Sequence, residues 1–156
     1  VIILNVQCGD PYWYSINEEA VENGVLASVS MASKALKLGV PTGMWTNAQV
    51  VSYKDEARGE VTPSLNSFKA IMELGARVDF SPRVKFEEFL MEKAKSFNKI
   101  STYIIVTPFL NEETAGILAK LKKAGFLIKI VDVSQKHTVP SIDGIEKVTF
   151  SKGVRQ

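Results

Sequence analysis

Thr102-Tyr103-Ile104-Ile105-Val106, running into Thr107-Pro108, reads as a buried β-strand. Its two isoleucines and valine in succession carry the branched side chains that suit a pleated surface covered on both faces. Downstream, Asn111 followed by Glu112 and Glu113 opens a helix that turns Ile117, Leu118 and Leu121 inward and closes at Ala124-Gly125. Residues 126–133 then form a second apolar strand. Strand, helix and strand in this order call for a right-handed crossover and parallel pairing.

Upstream, residues 1–7 form a short apolar run, Val1-Ile2-Ile3-Leu4, whose carboxyl end carries the polar Asn5 and Gln7. Residues Asn17 to Leu38 read as a helix. Glu18 and Glu19 lie in its first turn, Lys34 and Lys37 in its last, Gly39 stands just beyond, and Val21, Val25, Val29, Ala32 and Leu36 make its core-facing stripe. Thr42 to Thr46 is the second strand, and the segment 47–62, with Val50-Val51, Tyr53 and the charged run Lys54 to Gly59, reads as an exposed edge hairpin. Thr62-Pro63 predicts the start of a helix ending near Gly75. Phe80-Ser81-Pro82 reads as a turn, and Phe86, Phe89, Leu90, Ala94 and Phe97 mark one face of a helix through Phe97. The tail, past Pro140 and Asp143-Gly144, ends in an edge strand over 146–150. The whole order predicts one α/β domain: a doubly wound, mostly parallel sheet with helices on both faces.

Composition narrows the function classes. Of 156 residues, 46% are hydrophobic and 23% charged, the proportions of an ordinary globular protein. The 19 basic and 17 acidic residues leave a net charge of +2 with no dense basic cluster, which disfavours a nucleic-acid partner. Cys8 is the single cysteine, so no intrachain disulfide forms and a zinc site lacks ligands; a reducing compartment is expected. No run approaches the roughly 20 apolar residues that span a bilayer, and no signal peptide is present, so the chain reads as soluble. It begins in a strand pattern without an initiator methionine, which suggests an excised piece of a longer polypeptide.

In an open α/β sheet, ligands bind outside the carboxyl ends of the strands. Here those loops are Asn5 to Asp10, Thr46-Asn47 and Thr107-Pro108-Phe109, which are polar and almost uncharged. Gly9 stands alone where a dinucleotide site needs a glycine-rich turn, and no glycine-rich segment ends in Lys-Ser or Lys-Thr. Cys8 offers a nucleophile if a helix amino end stabilises its thiolate and Asp10 or His137 lies near; the plainer reading is a small buried thiol. His137 reads as a solvated loop residue, Asp10 as a turn or cap, and Asp132 as a carboxylate at a strand end. Tyr12, Trp13 and Tyr14 either pack over the sheet end or form an exposed patch for a partner.

Leu4-Asn5-Val6-Gln7, Pro11-Tyr12-Trp13, the helix after Glu18-Glu19, Gly43-Met44-Trp45-Thr46-Asn47 and Ile104-Ile105-Val106-Thr107-Pro108 together resemble the carboxyl-terminal half of a bacterial domain-of-unknown-function family, number 58, over most of residues 1–133. The fold of that family is similar to the von Willebrand factor A domain. The resemblance implies a ligand position at the top of the first strand, where A-type domains carry Asp-x-Ser-x-Ser and hold magnesium or manganese. Here the residues are Asn5-Val6-Gln7-Cys8-Gly9, the threonine ligand of the family falls near Ser81, and its second aspartate falls at Pro108. A hard cation needs anionic oxygens to offset its dehydration, so the site is expected to be degenerate and without a cofactor. The resemblance also implies a membrane-anchored parent, with this part soluble on the cytoplasmic side and working with a MoxR-type AAA+ ATPase. The resulting expectation is a non-enzymatic protein interaction module anchored by Tyr12, Trp13 and Tyr14; the alternative is a small hydrolase using Cys8.

Overall fold

In the computed structural model, which describes residues 1–13, 15–51 and 59–150, a central strand β1 (Ile2–Leu4) lies between β2 (Thr42–Thr46) and β6 (Thr102–Thr107), parallel to both. Ile3 faces Trp45 on one side and Ile105 on the other. The sheet is completed by β4 (Glu60–Ser64) beyond β2, and by β7 (Leu127–Asp132) and β8 (Glu146–Thr149) beyond β6, in the order β4-β2-β1-β6-β7-β8. In this sheet β4 alone runs antiparallel. A second, two-stranded sheet pairs β3 (Ala48–Val50) antiparallel with β5 (Val78–Pro82). The chain builds outward from β1 in one direction, then returns to its other side at β6. That reversal opens the carboxyl ends of β1 and β6 to a common crevice.

Strand alternation divides the core into two layers. Ile2, Leu4, Met44 and Val106 pack against Val21, Ala27 and Ala32 of α1 (Glu18–Lys37) and Ile71 and Leu74 of α2 (Phe68–Arg77). Ile3, Tyr103, Ile105 and Ile130 face the other way, against Phe86, Phe89 and Leu90 of α3 (Phe86–Ala94) and Leu118 of α4 (Glu112–Lys123). Asn17 and Asn111 cap α1 and α4 by accepting from the amides of Ala20 and Thr114. Helices thus cover both faces of a mostly parallel sheet, as the sequence pattern predicts.

Three local expectations are corrected. Thr62 and Pro63 do not open a helix but lie in β4, exposed, opposite β2. Proline is tolerated there because β4 is the outermost strand of its sheet on that side and needs no amide hydrogen facing outward. The helix starts instead after Ser67, whose hydroxyl donates to the carbonyls of Thr42 and Ser64. Phe80-Ser81-Pro82 is strand rather than turn, because β5 pairs with β3. Finally α3 stops at Ala94, and Phe97, past its end, stacks on Tyr103 with ring centroids 3.7 Å apart. Of the expected edge hairpin over 47–62, residues 52–58 lie outside the described residues.

The β2–β4 pairing depends on Gly43. The register shifts between Thr42 and Met44, and a methyl group on Gly43 would fall 2.5 Å from the Val61 carbonyl oxygen and 2.7 Å from the Pro63 nitrogen. Backbone atoms cannot swing aside as a flexible side chain can. Gly43→Ala is therefore expected to destabilise the domain by about 2 kcal/mol, in the range of core overpacking. Urea denaturation of the two proteins checks this, and an unchanged midpoint would contradict it.

Candidate functional site

At the crevice, the polar residues are buried and bonded to one another. Asn5 is only 1% exposed, and its carboxamide nitrogen donates to Thr107 Oγ1 at 2.9 Å and to the Phe109 carbonyl at 3.1 Å. Its oxygen accepts from the Gln7 amide at 2.8 Å and from Asn47 Nδ2 at 3.0 Å. Asn47 in turn accepts from the Val6 amide at 3.0 Å and donates to the Val84 carbonyl at 3.3 Å. A buried amide without such partners would cost a few kcal/mol, so this mutual satisfaction is what permits polar residues at three strand ends.

A second chain of bonds leads outward from Gln7, which is equally buried. Gln7 Oε1 accepts from the Phe86 amide at 2.7 Å, at the first turn of α3, where the N-cap residue Lys85 supplies no side-chain cap. Gln7 therefore caps α3 from across the crevice. Its nitrogen donates to the Gly9 carbonyl at 3.3 Å and to Asp10 Oδ1 at 3.1 Å. The other oxygen of Asp10 accepts from Asn111 Nδ2 at 3.3 Å, and the same nitrogen lies 3.4 Å from Glu87 Oε2. The loop after β1 is thus fastened to the amino ends of both α3 and α4, and Asp10 is a tie of that loop rather than the cap of α1.

These bonds decide what the expected cation position can hold. The amide oxygens of Asn5 and Gln7 are both taken by N–H donors of the protein. Ser81 sits half-buried in β5, in the separate two-stranded sheet. Pro108 presents its carbonyl to the Thr138 hydroxyl at 2.6 Å, and the Gly9 carbonyl serves Gln7. Among the described residues no three His, Cys, Asp or Glu side chains come together at a metal-binding distance. Neutral oxygens already engaged do not fit a magnesium or manganese ion, whose dehydration must be offset by anionic ligands.

Cys8 is half-buried, with Sγ directed at the Val6 carbonyl at 3.4 Å and the Asn17 carbonyl at 3.9 Å. Burial pushes its thiol pKa up, and the weak contact with Asn17 only partly opposes this. Beside it lies a cleft of about 560 Å³ bordered by Ser15, Glu18, Pro108 and Lys136. Exposed His137, held at φ 55°, is not among the residues that line it. Asp10 is committed to Gln7 and Asn111. Among the described residues, no hydrogen bond joins Cys8 to Asp10 or His137.

The aromatic loop divides between the two alternatives. Tyr12 is half-buried and meets Trp13 edge-to-face at 5.1 Å, whereas Trp13 is 67% exposed. Ile16, 48% exposed, extends the apolar surface, and Tyr14 lies outside the described residues. Asp132 ends β7 and accepts from the Ser134 amide at 2.7 Å. The sequence places Asn5, Gln7, Asn47 and Thr107 at the strand ends but not the bonds among them or the tie through Asn111, because an asparagine at a strand end looks the same whether it caps, ligates or ties.

No family model, curated protein or solved structure matches this chain.

Asn5→Asp tests the network. It removes the donors to Thr107 and Phe109 and sets a carboxylate against a carbonyl oxygen, so its carboxyl pKa must rise above the ordinary value. A raised folded pKa means the stability is retained below the ordinary carboxylate range and lost as pH climbs through the folded value. The variant is expected to lose about 3 kcal/mol at pH 7 and to recover part of it near pH 4, read by urea denaturation against wild type at both pH values. A pH-independent difference would contradict the burial of this group.

Proposed function

We propose that this domain is a non-catalytic protein interaction module whose contact surface is the strand-end face, anchored by Tyr12, Trp13 and Tyr14. The observation that carries the reading is Trp13, an indole left 67% exposed on a loop whose base is tied down by Gln7, Asp10 and Asn111. A large apolar side chain held outward on a fixed loop contributes most when a partner covers it, and tryptophan is enriched among such anchors. The polar groups beneath are consumed by each other, which leaves the surface suited to docking rather than to reaction. We read the doubly wound sheet as von Willebrand A-like with a degenerate cation position at Asn5, Gln7 and Gly9. The family resemblance supplies the expected partner, a MoxR-type AAA+ ATPase, and a cytoplasmic setting as the soluble part of an anchored protein. No helix among the described residues is long and apolar enough to cross a membrane.

Trp13→Ala is expected to weaken binding to a purified MoxR-type ATPase at least about tenfold by calorimetry, with an unchanged denaturation midpoint. Undiminished binding by a folded variant would remove the anchor.

The second reading, a hydrolase built on Cys8, is favoured by one observation, the cleft beside the thiol. Because burial raises the thiol pKa, little thiolate is present at neutral pH. Cys8 is expected to react with iodoacetamide more slowly than a free thiol at pH 7.5, and faster once the protein is unfolded. Rapid labelling of the folded protein would instead favour the enzyme.

A further inference from the structure

We infer that the strand-end face selects a lysine- and arginine-rich protein surface, through a rim of carboxylates around Trp13. This rests on the docking reading above and names the chemistry of its partner. Parallel strands joined by crossover helices bring the amino ends of α1, α3 and α4 to the same end of the domain as the carboxyl ends of the strands. Each of these helices carries an acidic pair in its first turn, Glu18-Glu19, Glu87-Glu88 and Glu112-Glu113. Each pair favours its own helix through the macrodipole, but the fold gathers all three at the end of the domain that carries the Trp13 loop. Glu87 is buried against Asn111, while Asp10, Glu18, Glu19, Glu88, Glu112 and Glu113 are exposed.

Among the described residues, the basic side chains are mostly at the other end. The last turns of α1, α3 and α4 hold Lys34, Lys37, Lys93, Lys120, Lys122 and Lys123. Among the described residues, Arg77, Arg83, Lys85 and Lys136 lie at the strand-end face and are outnumbered by the exposed carboxylates; Arg83 is further drawn toward the Ala48 carbonyl at 3.2 Å. Among the described residues the charge is therefore polarised, with the strand-end face negative. Such a rim raises the encounter rate with cationic surfaces and repels anionic ones, including nucleic acid. The face of the indole adds a second attraction, since ammonium and guanidinium groups bind over aromatic rings.

The test uses two synthetic amphipathic helical peptides of equal length and the same leucine face, one with lysine and one with glutamate on its polar face. Binding to the whole chain is followed by tryptophan emission, with Trp13→Phe identifying the contribution of Trp13. Because the protein is net positive, binding of the lysine peptide reports the local face rather than the overall charge. The lysine peptide is expected to bind and the glutamate peptide not. Affinity should fall about tenfold or more as salt rises from roughly 0.02 to 0.3 M, as screening shortens the reach of exposed charges. Glu18→Gln, Glu19→Gln, Glu112→Gln and Glu113→Gln together should weaken it by about tenfold, whereas Lys120→Gln with Lys123→Gln at the opposite end should not. Equal binding of the two peptides, no binding of the lysine peptide to the wild-type protein, or a folded four-glutamine variant with unchanged affinity would each overturn the charge selection. If the four-glutamine variant binds a MoxR-type ATPase as wild type does while Trp13→Ala does not, the docking face stands and its preference for a basic partner falls.

Discussion

The carboxamide of Asn5 joins the ends of three strands, and the rest of the crevice is arranged around that constraint. β1 is flanked on both sides by other strands and covered on both faces, so any polar group at its carboxyl end must find partners within the protein. An amide can do so because it both donates and accepts: Asn5 gives its hydrogens to Thr107 and Phe109 and receives those of Gln7 and Asn47. A carboxylate in the same place could only accept, and would call for a cation or a proton. The choice of amide over acid at this one position separates a self-contained strand end from one that recruits an ion.

From Asn5 outward, order passes along the chain from core to surface. Gln7 caps α3, Asp10 reaches α4 through Asn111, and the aromatic loop between these ties and α1 carries Tyr12 inward and Trp13 outward. The same helices that receive the ties bring their acidic first turns to the rim. Helix polarity and parallel strand direction, which together specify the fold, also place the acidic first turns of α1, α3 and α4 at the strand-end side. Within this arrangement Cys8 borders a cleft, and its burial works against the thiolate.

Much of the fold is legible in the residues, because hydrophobic period and helix caps are local signals. β6 shows in the Ile104-Ile105-Val106 run, and α1 and α4 show in their asparagine caps, acidic first turns and basic last turns. Thr62-Pro63 misleads because the same pair suits a helix start and an outermost strand, and only the tertiary neighbour β2 decides between them. Ser81 and Phe97 mislead for the same reason: the pairing of β5 with β3 and the stacking of Phe97 on Tyr103 are long-range choices without a local signature. At the site, the position is readable from topology and the residues from composition, but which amide bonds to which is not. Asn47 and Thr107 lie 42 and 102 residues from Asn5, and nothing local connects them.

The proposed docking face, with no ion at its strand ends, requires that the strand-end amides be spent inside the protein. Side-chain amide signals of Asn5 and Asn47 in nuclear magnetic resonance spectra, followed during exchange into deuterated water and with added manganese, measure this directly. Slowly exchanging amide protons, with signals that manganese leaves unbroadened, are the expected result. Rapid exchange, or selective broadening of Asn5 and Gln7 by manganese, would show these groups free to serve an ion and would contradict it.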